Sequence, residues 1–271
     1  MNISLLFPVS GLFTLICTYL VWSQVLKHEQ HSRHESLLMT LQSLATLCTL
    51  IGIVLLDPVS SHTLYFTLEA AAATAVFFVQ AMYLFGLVKY GIQGLGLFLL
   101  PVITVLLFLI PILPEDSTTG LVHTSSFLQS GHLLLSMIAY AVLTMTAFHA
   151  VMHLLLDQAL KRKQTHPVIN AMPPLVKLEG LIVSLLNWSV WLLAFSILTG
   201  LTWQWIDFSH FALFNHKVLL ALFSFAMLFW LLIQQKKATW HGRRTSQLIL
   251  TAYSLMLLAY FGVRLIHSWL N

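Results

Sequence analysis

The stretch "SGHLLLSMIAYAVLTMTAFHAVMH", residues 130–153, decides the fold. It is apolar enough to sit in the hydrocarbon core of a bilayer, yet it carries His132, His149 and His153. On a helical wheel His132, Ser136, Ala139, Leu143, Thr146, Ala150 and His153 follow steps of three and four and share one stripe. Small and hydroxylated residues dominate that stripe, which marks a helix–helix packing face inside a membrane.

The whole chain repeats this character. Its 271 residues are 58% hydrophobic and only 8% charged, against about 25% charged for a soluble globule. Apolar runs near 3–25, 37–56, 64–87, 92–112, 126–157, 175–203, 213–235 and 246–267 each suffice for a core of about 30 Å. They are continuous rather than alternating, which excludes a transmembrane β-barrel. The expected fold is all-α: a polytopic integral membrane protein of eight transmembrane helices in a single domain over 1–271. Its first four helices lie in 1–112 and the last four in 126–271.

Basic residues set the expected orientation. Lys27, Arg33, Lys89, Lys161, Arg162, Lys163, Lys177, Lys236, Lys237, Arg243 and Arg244 fall in or beside alternate loops. The opposite side holds Asp57, Glu115, Asp116 and Asp207, with only Lys217 and Arg264 as cations. The positive-inside bias puts both termini outside and the "ALKRKQ" and "QQKKATWHGRR" loops in the cytoplasm. "MNISLLFPVSGLFTLICTYLVW" lacks a basic n-region and reads as a retained first helix. The net charge of +4 suits anionic lipid headgroups, not nucleic acid. Cys17 and Cys48 form no CxxC or CxxCH motif, so neither thiol–disulfide exchange nor covalent heme attachment is expected.

Three outer histidines carry the functional reading. His132 lies about two turns into the fifth run, His216 opens the seventh, and His267 closes the eighth, all at similar expected depth. Lys217 and Arg264 stand next to or one turn from two of them. Heme accounts for both facts, because its iron takes neutral imidazole nitrogens and its propionates pair with Lys or Arg. Trp203, Trp205, Phe208, Phe211 and Phe214 would supply an aromatic wall. Zinc competes less well, since no acid or cysteine sits at ligand spacing with these histidines. Plain hydrogen bonding across a helix seam is the standing alternative.

On the cytoplasmic side His149 and His153 lie one turn apart. Their spacing is compatible with a metal, but a pair reaching the interface beside Asp157 is favoured. Glu69 is the one acid placed inside a span, where a carboxyl costs on the order of 2.5–3.5 kcal/mol, so it marks a possible polar intramembrane site. It lies near the outer end of its helix, from which it can snorkel. No nucleophile–base pair, phosphate loop or carboxylate dyad is visible, so no enzymatic activity is expected. A transporter is the third choice: Pro101 and Pro111 bracket the fourth run, yet no second half mirrors them.

From Phe127 to Asn271 the chain resembles the membrane-embedded cytochrome c assembly proteins that handle heme, in their short-loop inner-membrane branch. The stretches that carry this are "GHLLLSMIAYAVL", "MPPLVKLEG", "SILTGLTW", "TWHGRR" and "YFGVRLIHSW". The resemblance implies a heme-binding protein of the bacterial inner membrane that serves cytochrome assembly, with other assembly membrane proteins as partners. It also implies histidines flanking a Trp-rich loop, which fall here on His132 and near His267, with a Trp on Trp203. That loop is reduced to "TWQWIDFSHFALFNHK", in which Trp205, Asp207 and Lys217 echo a Trp-Asp-Pro-Lys-Glu run and His216 occupies the proline position. Ile233 stands near the place of an expected histidine. The shortened loop gives the alternative reading, an accessory or structural membrane protein on the same fold without heme.

Overall fold

The computed structural model describes residues 5–27, 35–56, 59–60, 63–66, 68–91, 93–113, 122–124, 127–163, 166–208, 216–236 and 242–258. Nine α-helices are described among them: α1 (Leu6–Lys27), α2 (Glu35–Leu55), α3 (Leu68–Tyr90), α4 (Gln93–Leu109), α5 (Phe127–Lys161), α6 (Pro167–Asn170), α7 (Leu175–Phe208), α8 (His216–Lys236) and α9 (Arg243–Leu257). A 3-10 turn, Ile110–Ile112, extends α4. Seven of these helices are long and apolar enough to cross a membrane: α1 to α5, α7 and α8. The eighth expected crossing falls on α9, and its part beyond residue 258 lies outside the described residues.

Of the expected boundaries that move, two have a clear physical cause. The third run begins at Leu68 rather than 64, because Thr63–Phe66 forms a strand, β2. Val59–Ser60 (β1) and Val122–Thr124 (β3) pair with it antiparallel, giving the order β1-β2-β3. A β-branched and aromatic run such as "TLYF" favours a strand once a partner is present, and that partner is distant in sequence. The sixth run does not stop at 203. Helix α7 continues to Phe208, since no proline interrupts it and Gly200 is tolerated inside the helix.

The helices gather in two compact units, Met1–Ser130 with Thr165–Pro173, and Gly131–Gln164 with Pro174–Asn271. In the first, α1 packs on α2 and α4, and α3 on α2 and α4. Its centre is polar: Ser10 Oγ lies 2.7 Å from Thr49 Oγ1, which donates to Gln80 Oε1 at 2.8 Å, while Gln80 Nε2 reaches Thr14 Oγ1 at 3.4 Å. Such interhelical hydrogen bonds hold bundles together in lipid, where apolar contacts gain little over the solvent.

Pro101 lies inside α4 instead of bracketing it. Its missing N–H strips the carbonyl of Leu97 of its helical donor. The indole N–H of Trp22 on α1 takes that oxygen at 3.2 Å, so a break in one helix becomes a tie to another.

The second unit is a four-helix arrangement of α5, α7, α8 and α9. Ala139, Leu143 and Ala150 of α5 form its core with Ile182, Leu186, Val190 and Leu193 of α7, Leu228 and Leu231 of α8, and Ile249 and Ala252 of α9. The small-residue stripe of the opening sequence is this seam, and Thr146 Oγ1 lies 3.3 Å from Ser189 Oγ across it.

Candidate functional site

His132 stands in the second turn of α5, and its ring lies against Gly200 of α7. The imidazole Nδ1 is 2.7 Å from the carbonyl oxygen of Ser196, one turn before that glycine. A carbonyl only accepts, so Nδ1 carries the hydrogen and the neutral ring keeps its lone pair on Nε2. Gly200 makes this possible. A Cβ there would lie 2.8 Å from His132 Cε1 and 2.9 Å from Nδ1, closer than real side chains approach. A glycine therefore bares the Ser196 carbonyl to a ring from the neighbouring helix. An Nδ1–H held by a backbone carbonyl is how a histidine is oriented for a metal or heme iron on its other nitrogen.

The other expected residues divide. Trp203, three residues past Gly200 and seven past Ser196, shares the face of α7 that meets His132. Trp205 is 55% exposed and lies on the opposite face by the same geometry. His216 and Lys217 open α8, which places their backbones at its first turn; their side chains are outside the described residues. His267 and Arg264 lie wholly outside them. Glu69 sits in the first turn of α3, partly buried, where the helix dipole favours a carboxylate. Cys17 and Cys48 are free thiols, buried and half-buried respectively.

At the other end of α5, about 30 Å away along the axis, His149 and His153 were expected to reach the interface beside Asp157. Both are buried instead, and Asp157 pairs with Lys161 at 2.7 Å. His153 Nε2 lies 3.2 Å from Glu179 Oε1 of α7, and Nδ1 lies 3.1 Å from Ser246 Oγ of α9. Sequence reasoning saw no base beside a hydroxyl because the three residues stand far apart along the chain. Glu179 and Ser246 were missed for the same reason, although Glu179 belongs to the singled-out "MPPLVKLEG". His149, one turn back, is buried and bonds through Nδ1 to the Met145 carbonyl of its own helix at 2.7 Å. Among the described residues no three His, Cys, Asp or Glu side chains stand together as a metal site.

Fold and site together define a helical multi-pass membrane protein that presents one oriented imidazole at an end of a four-helix unit. The chain belongs to the cytochrome C assembly protein family, which it matches over residues 6–270. Among curated relatives, an uncharacterized 28.8 kDa protein of Azospirillum brasilense is 33% identical over 135 residues, half of each chain. Protein HemX of Brevibacillus brevis is 26% identical over 170 residues, 62% of each chain. Inner membrane protein YpjD of Escherichia coli K12 is 28% identical over 180 residues, 65% of this chain and 66% of that one. The chain thus covers between half and about two thirds of the length of these relatives.

Proposed function

We propose that this chain binds heme non-covalently and handles it for cytochrome c assembly, as a multi-pass protein of the bacterial inner membrane. Family membership and the inner-membrane relative YpjD support the setting. The observation that carries the chemistry is the His132 seat: Nδ1–H on the Ser196 carbonyl, Nε2 left with its lone pair. In this reading His132 and His267 would ligate the iron, with His216 the substitute. Arg264 and Lys217 would pair with the propionates, and Trp203 and Trp205 would line the macrocycle. When bound, heme would supply an iron that takes imidazole nitrogen; this chain would contribute orientation, an apolar wall and charge compensation, with no turnover of its own. The chain crosses the membrane eight times, with both termini outside, and meets other assembly membrane proteins.

The test is the absorption spectrum of the detergent-purified protein with pyridine hemochrome analysis. A Soret band that His132→Ala bleaches is expected, and a colourless protein from heme-replete cells overturns the reading. A second reading, an accessory or structural protein without heme, is favoured by the short connection between α7 and α8, which run to Phe208 and from His216. Unchanged function with His132, His216 and His267 all replaced by alanine would select it.

A further inference from the structure

The carbonyl that seats His132 serves three donors. In the unbroken helix α7 the Ser196 oxygen takes the Gly200 N–H by the ordinary helical pattern. It also takes the Nδ1–H of His132, at 2.7 Å. The third donor is the Thr199 hydroxyl, whose Oγ1 lies 2.9 Å from the same oxygen. A carbonyl oxygen has two lone pairs, so the imidazole and the hydroxyl compete. Thr199 has an alternative, because its Oγ1 is 3.0 Å from the Phe195 carbonyl and a hydroxyl carries one hydrogen. The ring has no equal alternative: Ser196 Oγ stands 3.5 Å from Nδ1, at the outer limit of a hydrogen bond. Back-bonding of a threonine to its own helix is commonplace. Thr202 does so to Leu198 and Thr199, and neither oxygen receives a side chain of another helix among the described residues. At Thr199 the acceptor is shared with a ring from α5.

We propose that Thr199 is a positioning residue for His132: through the shared Ser196 oxygen it sets how firmly Nδ1–H is held, and so how strong a donor Nε2 is. The consequence at iron rests on the heme reading; the coupling of the two side chains does not. An Nδ1–H drawn towards an acceptor leaves electron density on the ring and makes Nε2 more basic. A more basic imidazole favours ferric over ferrous iron, so hydrogen bonding behind the ligand is a lever on reduction potential. With its hydrogen on Ser196, Thr199 weakens that pull; with its hydrogen on Phe195 it leaves the carbonyl to the ring. The stretch "SILTGLTW" then divides its labour within one turn. Ser196 supplies the oxygen, Gly200 the clearance for the ring, and Thr199 the adjustment.

The experiment uses the full chain in detergent and Thr199→Val, which keeps the side-chain shape and removes the hydroxyl. In heme-free protein with histidine labelled by heavy nitrogen, the His132 Nδ1–H resonance is assigned by its loss in His132→Gln. It should move downfield in Thr199→Val as its hydrogen bond tightens. In protein titrated with hemin, the midpoint potential should fall in Thr199→Val. The ratio of ferric to ferrous affinity should then rise several-fold, short of the roughly 10–100-fold effect of losing a direct partner. Thr199→Ser should match the wild type in both measurements, and Thr202→Val should move neither. A folded Thr199→Val with an unchanged Nδ1–H resonance overturns the inference, whether or not hemin binds. So does a shift that Thr202→Val reproduces, or a bound hemin whose potential does not respond. A downfield shift in a protein that takes no hemin upholds the coupling of Thr199 to His132 and defeats the heme reading instead.

Discussion

The Gly200 backbone is the floor on which the His132 imidazole rests, with Ser196, one turn earlier, holding its Nδ1 at 2.7 Å. Replacing that glycine tests the seat without touching the ligand. Gly200→Ala places a methyl group within 2.8–2.9 Å of the ring and should cost ~1–3 kcal/mol of stability by overpacking. If heme is held there, the Soret maximum and the midpoint potential should shift together, because the ring plane turns. Thermal unfolding and a redox titration measure the two effects. A variant with wild-type stability and spectrum would remove Gly200 from the seat.

The Trp22–Leu97 bond should behave as a repair of the Pro101 break. Trp22→Phe leaves the Leu97 carbonyl without its donor and should cost about 1 kcal/mol, within the usual range for a hydrogen bond. Pro101→Ala restores the helical N–H, so Trp22→Phe should cost less in that background. A double-mutant cycle of unfolding free energies reads the coupling. Strict additivity would show that the indole and the proline act separately.

Two buried glutamines of the first unit predict opposite signs. Gln80 bonds to Thr49 and lies within reach of Ser10 and Thr14, so Gln80→Leu should destabilise by about 1–3 kcal/mol through stranded hydroxyls. Gln42 is fully buried, and neither its amide nitrogen nor its oxygen has a hydrogen-bond partner among the described residues. Gln42→Met should be neutral or stabilising, since it removes an uncompensated polar group at similar volume. Melting temperatures of the two variants settle it, and a large loss for Gln42→Met would show that its amide is satisfied in the folded protein after all.

The exposed Lys161–Asp157 pair, although only 2.7 Å long, should matter little. It is an i,i+4 pair whose lysine is 63% accessible, and Lys161→Ala should change stability by no more than about 0.5 kcal/mol. Unfolding at low and high salt checks this. A larger, salt-insensitive loss would mean that Lys161 has a second role.

Much of the architecture was readable from hydropathy alone. The runs near 3–25 and 37–56 became Leu6–Lys27 and Glu35–Leu55, because a bilayer imposes helix on any long apolar segment. The stripe from Ala139 to His153 was also readable as a packing seam, since helical periodicity places those residues on one face whatever they meet. The strand at Thr63–Phe66 was not, because it exists through pairing with Val122–Thr124 nearly sixty residues later.

By itself, then, the order of residues determined that this is a helical membrane protein and which face of α5 is buried, since lipid and the helix repeat act locally. It also marked His132 as a residue to explain. Only the tertiary structure decided what His132 and His153 bond to. His132 meets a bared carbonyl because α7 offers Gly200, and His153 meets Glu179 and Ser246 because α7 and α9 converge on α5. Hydrogen bonds of a few ångströms between distant residues depend on how helices pack, which periodicity within any one helix does not encode.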